Sequence, residues 1–370
     1  MSLRHGVRAV GQRLLVGFAG PEASAELKEL LREHAVGGVV LFARNVEGPE
    51  QVAELVREIQ AVARDAGHES PLLVAVDQEG GRVLRLRRPW TEWPPLRALG
   101  RTGSEDLAAR MGRGLARELL ACGIRFDLAP VLDVDTNPHN PVIGDRSFGD
   151  DPDLVGRMGA AMIQAMQSAG LAACAKHFPG HGDTTVDSHH DLPVVAHVRS
   201  RLEDVELRPF RAAIAGGVAS IMTAHVLVPE LDEELPASMS RPTVTGLLRE
   251  AMGFRGVVVA DDLEMKAVAE RWPMGEVAVR AASAGVDLIP ICSRHDLQVE
   301  AAEALVHAVE DERISWKAME SSLSRIRRLK EAFVLPYRDP DPRQARAEAG
   351  GSEQLELAQE IAERGGGVPA

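Results

Sequence analysis

Eight short apolar runs, each followed by a longer amphipathic stretch, limit what this chain can fold into. The runs are Leu14–Phe18, Gly37–Phe42, Leu72–Asp77, Phe126–Val134, Ala172–Phe178, Ser220–Val226, Gly256–Leu263 and Asp287–Cys292. Most are rich in β-branched residues or alanine, the composition of strands covered on both faces. Helical periodicity follows each of them in turn, over Ala25–His34, Pro49–Ala66, Ser104–Ala121, Asp153–Ala169, Ser200–Ala215, Pro242–Met252, Met274–Ala284 and Asp296–Glu310. Eight strand–helix units predict a parallel (β/α)8 TIM barrel, a single domain with its active site at the C-terminal face of the strands. A doubly wound open sheet is the alternative, but no GxGxxG follows the first run. The barrel is expected over residues 1–336, including a further helix at Ser315–Phe333. The tail, 337–370, is rich in Glu, Ala, Arg, Gln and Gly, and reads as helical in its middle and disordered at its Gly365–Gly366–Gly367 end.

Charge and composition narrow the function. A formal net charge of −13 makes phosphate backbones and anionic membrane surfaces poor partners. Aromatic residues are only 4%, too few for a stacking platform for single-stranded nucleic acid. No run reaches the roughly 18 apolar residues of a membrane helix, and Met1–Gln12 has no signal-peptide core. Cys122, Cys174 and Cys292 are far apart and form no CxxC, which fits reduced thiols and a cytoplasmic protein.

Polar residues gather where the predicted strands end. Asp77 closes the third, Asp133 and Asp135 the fourth, Lys176 and His177 the fifth, His225 the sixth, and Asp261 with Asp262 the seventh. In a barrel these ends open onto one face. The segment Lys176–Pro193, KHFPGHGDTTVDSHHDLP, adds four histidines and three aspartates. Asp187-x-His189 offers a histidine whose tautomer and basicity a carboxylate can set, although such a pair also arises by coincidence on a surface. Asp261 can attack an anomeric carbon and leave as a glycosyl ester. One aspartate of the Asp261–Asp262 pair also suits the cap of a following helix, and Asp261 is taken for the pocket. Asp77-Gln78-Glu79-Gly80-Gly81-Arg82-Val83 supplies acceptors for sugar hydroxyls, and Arg146 in Ile143–Gly149 a fork of donors; either fits a loop salt bridge equally well.

These segments resemble glycoside hydrolase family 3, in particular its single-domain β-N-acetylglucosaminidases of the NagZ type. The family pattern KHFPGHGDTxxDSHxxLP is met along Lys176–Pro193. DQEGGRV at Asp77, R-S-F at Arg146 and D-D-L-x-M at Asp261 follow in order, so the likeness runs from about Leu14 to Phe333. It implies Asp261 as catalytic nucleophile and His189 as general acid/base, with Asp187 as its partner on a mobile loop. It implies that Asp77, Arg146, Lys176 and His177, joined by Arg85, hold the sugar, and that His181 and Asp183 brace the loop. The implied reaction is retaining hydrolysis of terminal N-acetylglucosamine from muropeptide fragments, N-acetylglucosamine β-1,4-linked to 1,6-anhydro-N-acetylmuramic acid with or without peptide. The implied protein takes a small carbohydrate, needs no cofactor or metal, and works as a monomer in peptidoglycan recycling.

Three alternatives stay open. A β-glucosidase or β-xylosidase of the same family lacks the Asp187–His189 pattern by the same resemblance. A metal-dependent barrel of the amidohydrolase type usually has HxH at the end of strand 1, where this chain has Val16-Gly17-Phe18-Ala19-Gly20. A non-catalytic barrel that binds muropeptides would leave Asp261 and His189 without chemical work.

Overall fold

The computed structural model describes residues 3–188 and 191–366. Its main sheet contains β1 Leu14–Val16, β2 Gly38–Leu41, β3 Leu73–Val76, β4 Phe126–Asp127, β5 Ala172–Phe178, β6 Ser220–Thr223, β7 Val257–Ala260 and β8 Ile289–Ile291. All pair in parallel, in the order β8-β1-β2-β3-β4-β5-β6-β7. The two ends meet through a Val259–Leu288 bridge and the Asp287 N–H, which donates to the Val258 carbonyl at 2.8 Å. Eight parallel strands in a nearly closed ring, flanked by helices, make this the expected (β/α)8 barrel.

Each strand falls within its expected run, but most are shorter. The fourth shrinks most, to Phe126–Asp127, with one further bridge from Val131 to Lys176. Pro130 has no N–H to offer the ladder there. Among the elements outside the sequence expectations are a helix at Leu3–Gly11, a hairpin of Gln78–Gly80 with Val83–Leu84, and a helix at Leu96–Thr102.

Strand alternation divides the core in two. Leu15, Val40, Leu73, Ala75, Ala172, Cys174, Val257 and Val259 are buried inside the barrel. Leu14, Val16, Val39, Leu41, Val74, Val76, Ala173, Ala175 and Val258 are buried between sheet and helices. This period of two also sets the site. Two residues beyond Ala75 is Asp77, two beyond Cys174 is Lys176, and two beyond Val259 is Asp261. The strands that fill the barrel with apolar side chains thus aim charged ones into its mouth. The opposite mouth is plugged by Ile326, Leu329 and Val334, at and just past the end of the helix Trp316–Phe333.

After the plug the chain forms helices at Pro342–Glu348 and Ser352–Arg364, packed outside on Pro49–Asp65, Leu96–Thr102 and Glu105–Ala121. Buried Glu118 ties this segment down. Its carboxylate accepts from the N–H groups of Gly350 (2.9 Å) and Thr91 (3.0 Å), from Thr91 Oγ1 (2.8 Å) and from Trp93 Nε1 (3.3 Å). The last residues, 367–370, lie outside the described ones.

Candidate active site

A cavity of about 370 Å³ opens at the C-terminal ends of the strands. Asp77, Arg85, Arg146, Lys176, His177, Asp187 and Asp261 all line it, so seven of the eight residues singled out above converge there. His189, the eighth, lies outside the described residues, as does His190.

The cavity wall is a chain of charged contacts. Lys176 is 2% exposed, and its Nζ sits 2.8 Å from Asp77 Oδ1 and 2.6 Å from Glu79 Oε1. Glu79 also receives both arms of Arg146, Nε to Oε2 and Nη2 to Oε1, each at 2.8 Å. Arg85 Nη2 reaches Asp77 Oδ2 at 3.5 Å, and its guanidinium lies 5.5 Å from the centre of the Phe42 ring. Burial works against the charges of Glu79, Arg146 and Lys176, but their contacts outweigh it. Glu79 is held well below the usual carboxylate range by Arg146 and Lys176, and Lys176 is raised by Asp77 and Glu79. Such groups keep fixed charges and fixed directions, as recognition of hydroxyls requires.

Fully buried Asp133 fixes His177. Its Oδ2 lies 2.6 Å from His177 Nδ1 and accepts the His177 N–H at 3.2 Å, while Oδ1 accepts the His181 N–H at 2.6 Å. Nδ1 therefore carries the proton, and Nε2 turns to the cavity side, 3.4 Å from Arg146 Nη2. Burial raises Asp133, but the two histidines and their donors lower it further, so it remains ionised.

Asp261 follows β7, its N–H bonded to Thr223 O at 3.0 Å and its Oδ1 accepting the Asp262 N–H at 2.9 Å. Burial pushes its carboxyl up, yet His177, His225 and that N–H bring it below the ordinary range. An ionised, positioned carboxylate is what a nucleophile needs. Asp262 lines the cavity beside Asp261 and does not cap the helix Lys266–Ala269, whose N-cap is Met265; its Oδ1 instead accepts the Glu264 N–H at 3.1 Å in the preceding turn.

The described residues of the loop after β5 are held at several points. Gly182 packs against the backbone of Val134, where a Cβ would come within 1.8 Å of the carbonyl oxygen. His181 bridges to Thr184 Oγ1 (2.7 Å) and Ser188 Oγ (3.1 Å). The Thr184 hydroxyl donates to the His181 carbonyl, so His181 Nδ1 donates to Thr184 and Nε2 accepts from Ser188. Burial pushes His181 down to about 4, which keeps this neutral form. Asp183 does not line the cavity; its Oδ2 is 2.5 Å from His197 Nε2. The Ser188 carbonyl accepts from Ala267 N–H at 3.2 Å, and Asp191 pairs with Arg271 at 2.7 Å. Asp187, on this loop, faces the cavity that Asp261 also lines.

Two organising residues escaped the sequence reading. Glu79 stood in the quoted DQEGGRV segment, and only its spacing of two from Asp77 pointed to the same face. Asp133 was placed at a strand end with no task, and nothing local to it signals His177. Among the described residues, no group of three His, Cys, Asp or Glu side chains is arranged to hold a metal ion.

A barrel with a charged, hydroxyl-matching pocket at its C-terminal face is that of a carbohydrate-active hydrolase, and the comparisons define which. Residues 7–329 match the glycosyl hydrolase family 3 N terminal domain. The chain is 41% identical over 293 residues to a beta-hexosaminidase of Thiobacillus denitrificans, covering 78% of this chain and 80% of that one. It is 36% identical over 327 residues to beta-hexosaminidase A of Pseudoalteromonas piscicida, covering 82% of this chain but spanning only 55% of that relative's length. In structure it is similar to a family 3 beta-N-acetylglucosaminidase from Paenibacillus sp., with a TM-score of 0.90, 43% identity and coverage of 96% and 68%. It is also similar to NagZ from Neisseria gonorrhoeae in complex with N-trifluoroacetyl-D-glucosamine, with a TM-score of 0.79, 31% identity and coverage of 95% and 97%. The chain belongs to glycosyl hydrolase family 3, as a glycoside hydrolase of the β-N-acetylhexosaminidase type.

Proposed function

We propose that the protein is a retaining exo-β-N-acetylglucosaminidase that releases terminal non-reducing N-acetylglucosamine from cell-wall fragments. Its proposed substrate is N-acetylglucosamine β-1,4-linked to 1,6-anhydro-N-acetylmuramic acid, with or without peptide. The observation that carries this reading is an ionised Asp261 sharing one cavity of about 370 Å³ with the Asp77–Lys176–Glu79–Arg146–His177 chain. That volume falls among small-molecule pockets, about 300–1,000 Å³. The N-acylated glucosamine held by the Neisseria relative supports the type of sugar.

In this reading Asp261 attacks the anomeric carbon while His189, oriented by Asp187, gives its proton to the leaving oxygen. The C–O bond to the aglycone breaks as the ester bond to Asp261 forms. Water then attacks the anomeric carbon, which breaks its bond to Asp261 and restores the free carboxylate, and passes its proton to His189. Asp77, Arg85, Arg146, Lys176 and His177 bind and orient the sugar. No described helix is long and apolar enough to cross a membrane. A monomer in the cytoplasm, recycling peptidoglycan, is the setting that suits this substrate.

The test compares kcat/KM on an aryl N-acetyl-β-glucosaminide and an aryl β-glucoside, with the first-formed anomer read by proton NMR. Preference for the N-acetylated substrate and a β product are expected. Preference for the glucoside defeats the substrate assignment, and an α product defeats retention.

A further inference from the structure

The barrel floor, opposite the catalytic face, holds a second cavity of about 680 Å³. It lies between the helix Leu3–Gly11, Gln12 ahead of β1, the Ser70 turn ahead of β3, and the plugging helix Trp316–Phe333. Lys330 forms part of its wall. This residue is 2% exposed, and its amine donates to Gln12 Oε1 at 2.9 Å and Ser70 Oγ at 3.4 Å. Both acceptors are neutral. Among the described residues no carboxylate lies within ion-pair distance of it. Lys176, equally buried, has two, at 2.8 and 2.6 Å.

A buried ammonium without a counter-charge is costly, and the protein must pair it or give up its proton. Burial alone pushes the Lys330 amine down to about 7. The adjoining cavity has room for a counter-charge from outside. Arg8 and Arg327 stand on its walls and favour an anion, whereas Glu69, Glu320 and Glu331 stand exposed on the same lining. His68, beside the Ser70 turn, is pushed down by burial.

We propose that this cavity is a second binding site, separate from the catalytic one, for a small oxyanion-bearing ligand whose anionic group seats on the Lys330 amine. Binding then couples to a proton. Well below pH 7 the amine is already charged and the anion binds without proton exchange. Above it the amine is neutral, so the anion binds with uptake of a proton, and affinity falls about tenfold per pH unit. Lys330→Met has no amine to protonate, so proton uptake that the variant loses belongs to Lys330.

Isothermal titration of the full chain with citrate and with inorganic phosphate, at pH 6.5–8.5 in two buffers of different ionisation heat, tests the site. Saturable binding with proton uptake growing above pH 7 is expected. Lys330→Met should weaken it by about tenfold or more while leaving aryl hexosaminide turnover unchanged. Citrate binding alone identifies a carboxylate ligand, and phosphate binding alone a phosphate. Binding of neither anion, equal binding by the variant, or binding without proton uptake overturns the proposal. A second readout needs no variant. The chain has five lysines, so reductive methylation at pH 7.5 is resolved residue by residue in a mass spectrum. Lys330 should react and the bound anion should protect it; reaction at an unchanged rate overturns the site.

Discussion

Glu79 and Arg146 meet as a two-armed pair, 2.8 Å at each contact, and the same carboxylate lies 2.6 Å from Lys176 Nζ. One residue thus holds two cations proposed to grip the sugar. Removing one partner of a buried pair typically costs about 3–5 kcal/mol, because the charge left behind stays out of water. Glu79→Gln keeps the shape but turns an NH2 toward a cation. Urea unfolding should show a loss of about 3 kcal/mol, and steady-state kinetics a KM that rises more than kcat falls. Unchanged stability would show that Glu79, Arg146 and Lys176 do not act as a unit.

Asp133 acts through His177. Asp133→Asn can donate where the carboxylate accepted, so the preference for a proton on His177 Nδ1 is lost. We expect kcat/KM to fall about 10- to 100-fold, by analogy with tautomer loss elsewhere, with little change in fold. Nitrogen NMR of His177 should show the proton moving from Nδ1. If kcat/KM falls while the tautomer stays, Asp133 has another role.

How much of this was legible follows from where the signal lies. Asp77, Lys176 and Asp261 could be read because each continues a strand whose period-two pattern faces the barrel interior, so a local rule fixes their direction. Glu79 obeys the same rule but sits past the strand, in a hairpin of Gln78–Gly80 with Val83–Leu84 that the two glycines disguised as a turn. Asp133 is set by a contact with a residue 44 positions away, beyond the reach of any periodic pattern. The fourth strand was read too long because its apolar composition runs unbroken across Pro130, which has no N–H for the ladder, so that beyond Asp127 the pairing is reduced to the single bridge of Val131 to Lys176. Lys330 was not singled out in the sequence, because only the packing of the barrel floor buries it.

The proposed acid/base is best tested through leaving groups. His189→Ala should slow substrates with poor leaving groups far more than activated aryl substrates, which need little protonation. Rates on a series of aryl N-acetyl-β-glucosaminides of graded leaving-group acidity would show a steeper dependence in the variant. Parallel losses along the series would remove His189 from the acid role.

Asp261→Asn keeps the size and removes the charge. Turnover should drop about 10⁴-fold or more if the carboxylate forms the covalent intermediate, while N-acetylglucosamine still binds. Calorimetry of the sugar with the variant separates the two effects. Residual activity within about tenfold of the unaltered enzyme would move the nucleophile elsewhere.

Asp262 makes a different demand, on stability. Burial, reinforced by the charges of Glu264 and Asp261, pushes its carboxyl up to about 7 although it accepts the Glu264 N–H. An unfolded aspartate titrates near about 3.9. Below that value both states are protonated and the residue contributes nothing. Between about 4 and 7 the unfolded chain is ionised while the folded one must hold the proton, so folding weakens as pH rises; above 7 the cost is constant. Asp262→Asn retains an oxygen for the Glu264 N–H and cannot ionise. The melting temperature of the variant should therefore gain on that of the unaltered protein as pH is raised from about 4 to about 7, and level off beyond. A difference that stays flat across thermal melts in that window would mean that Asp262 titrates as an ordinary aspartate. In that case a full second negative charge stands beside Asp261 at neutral pH.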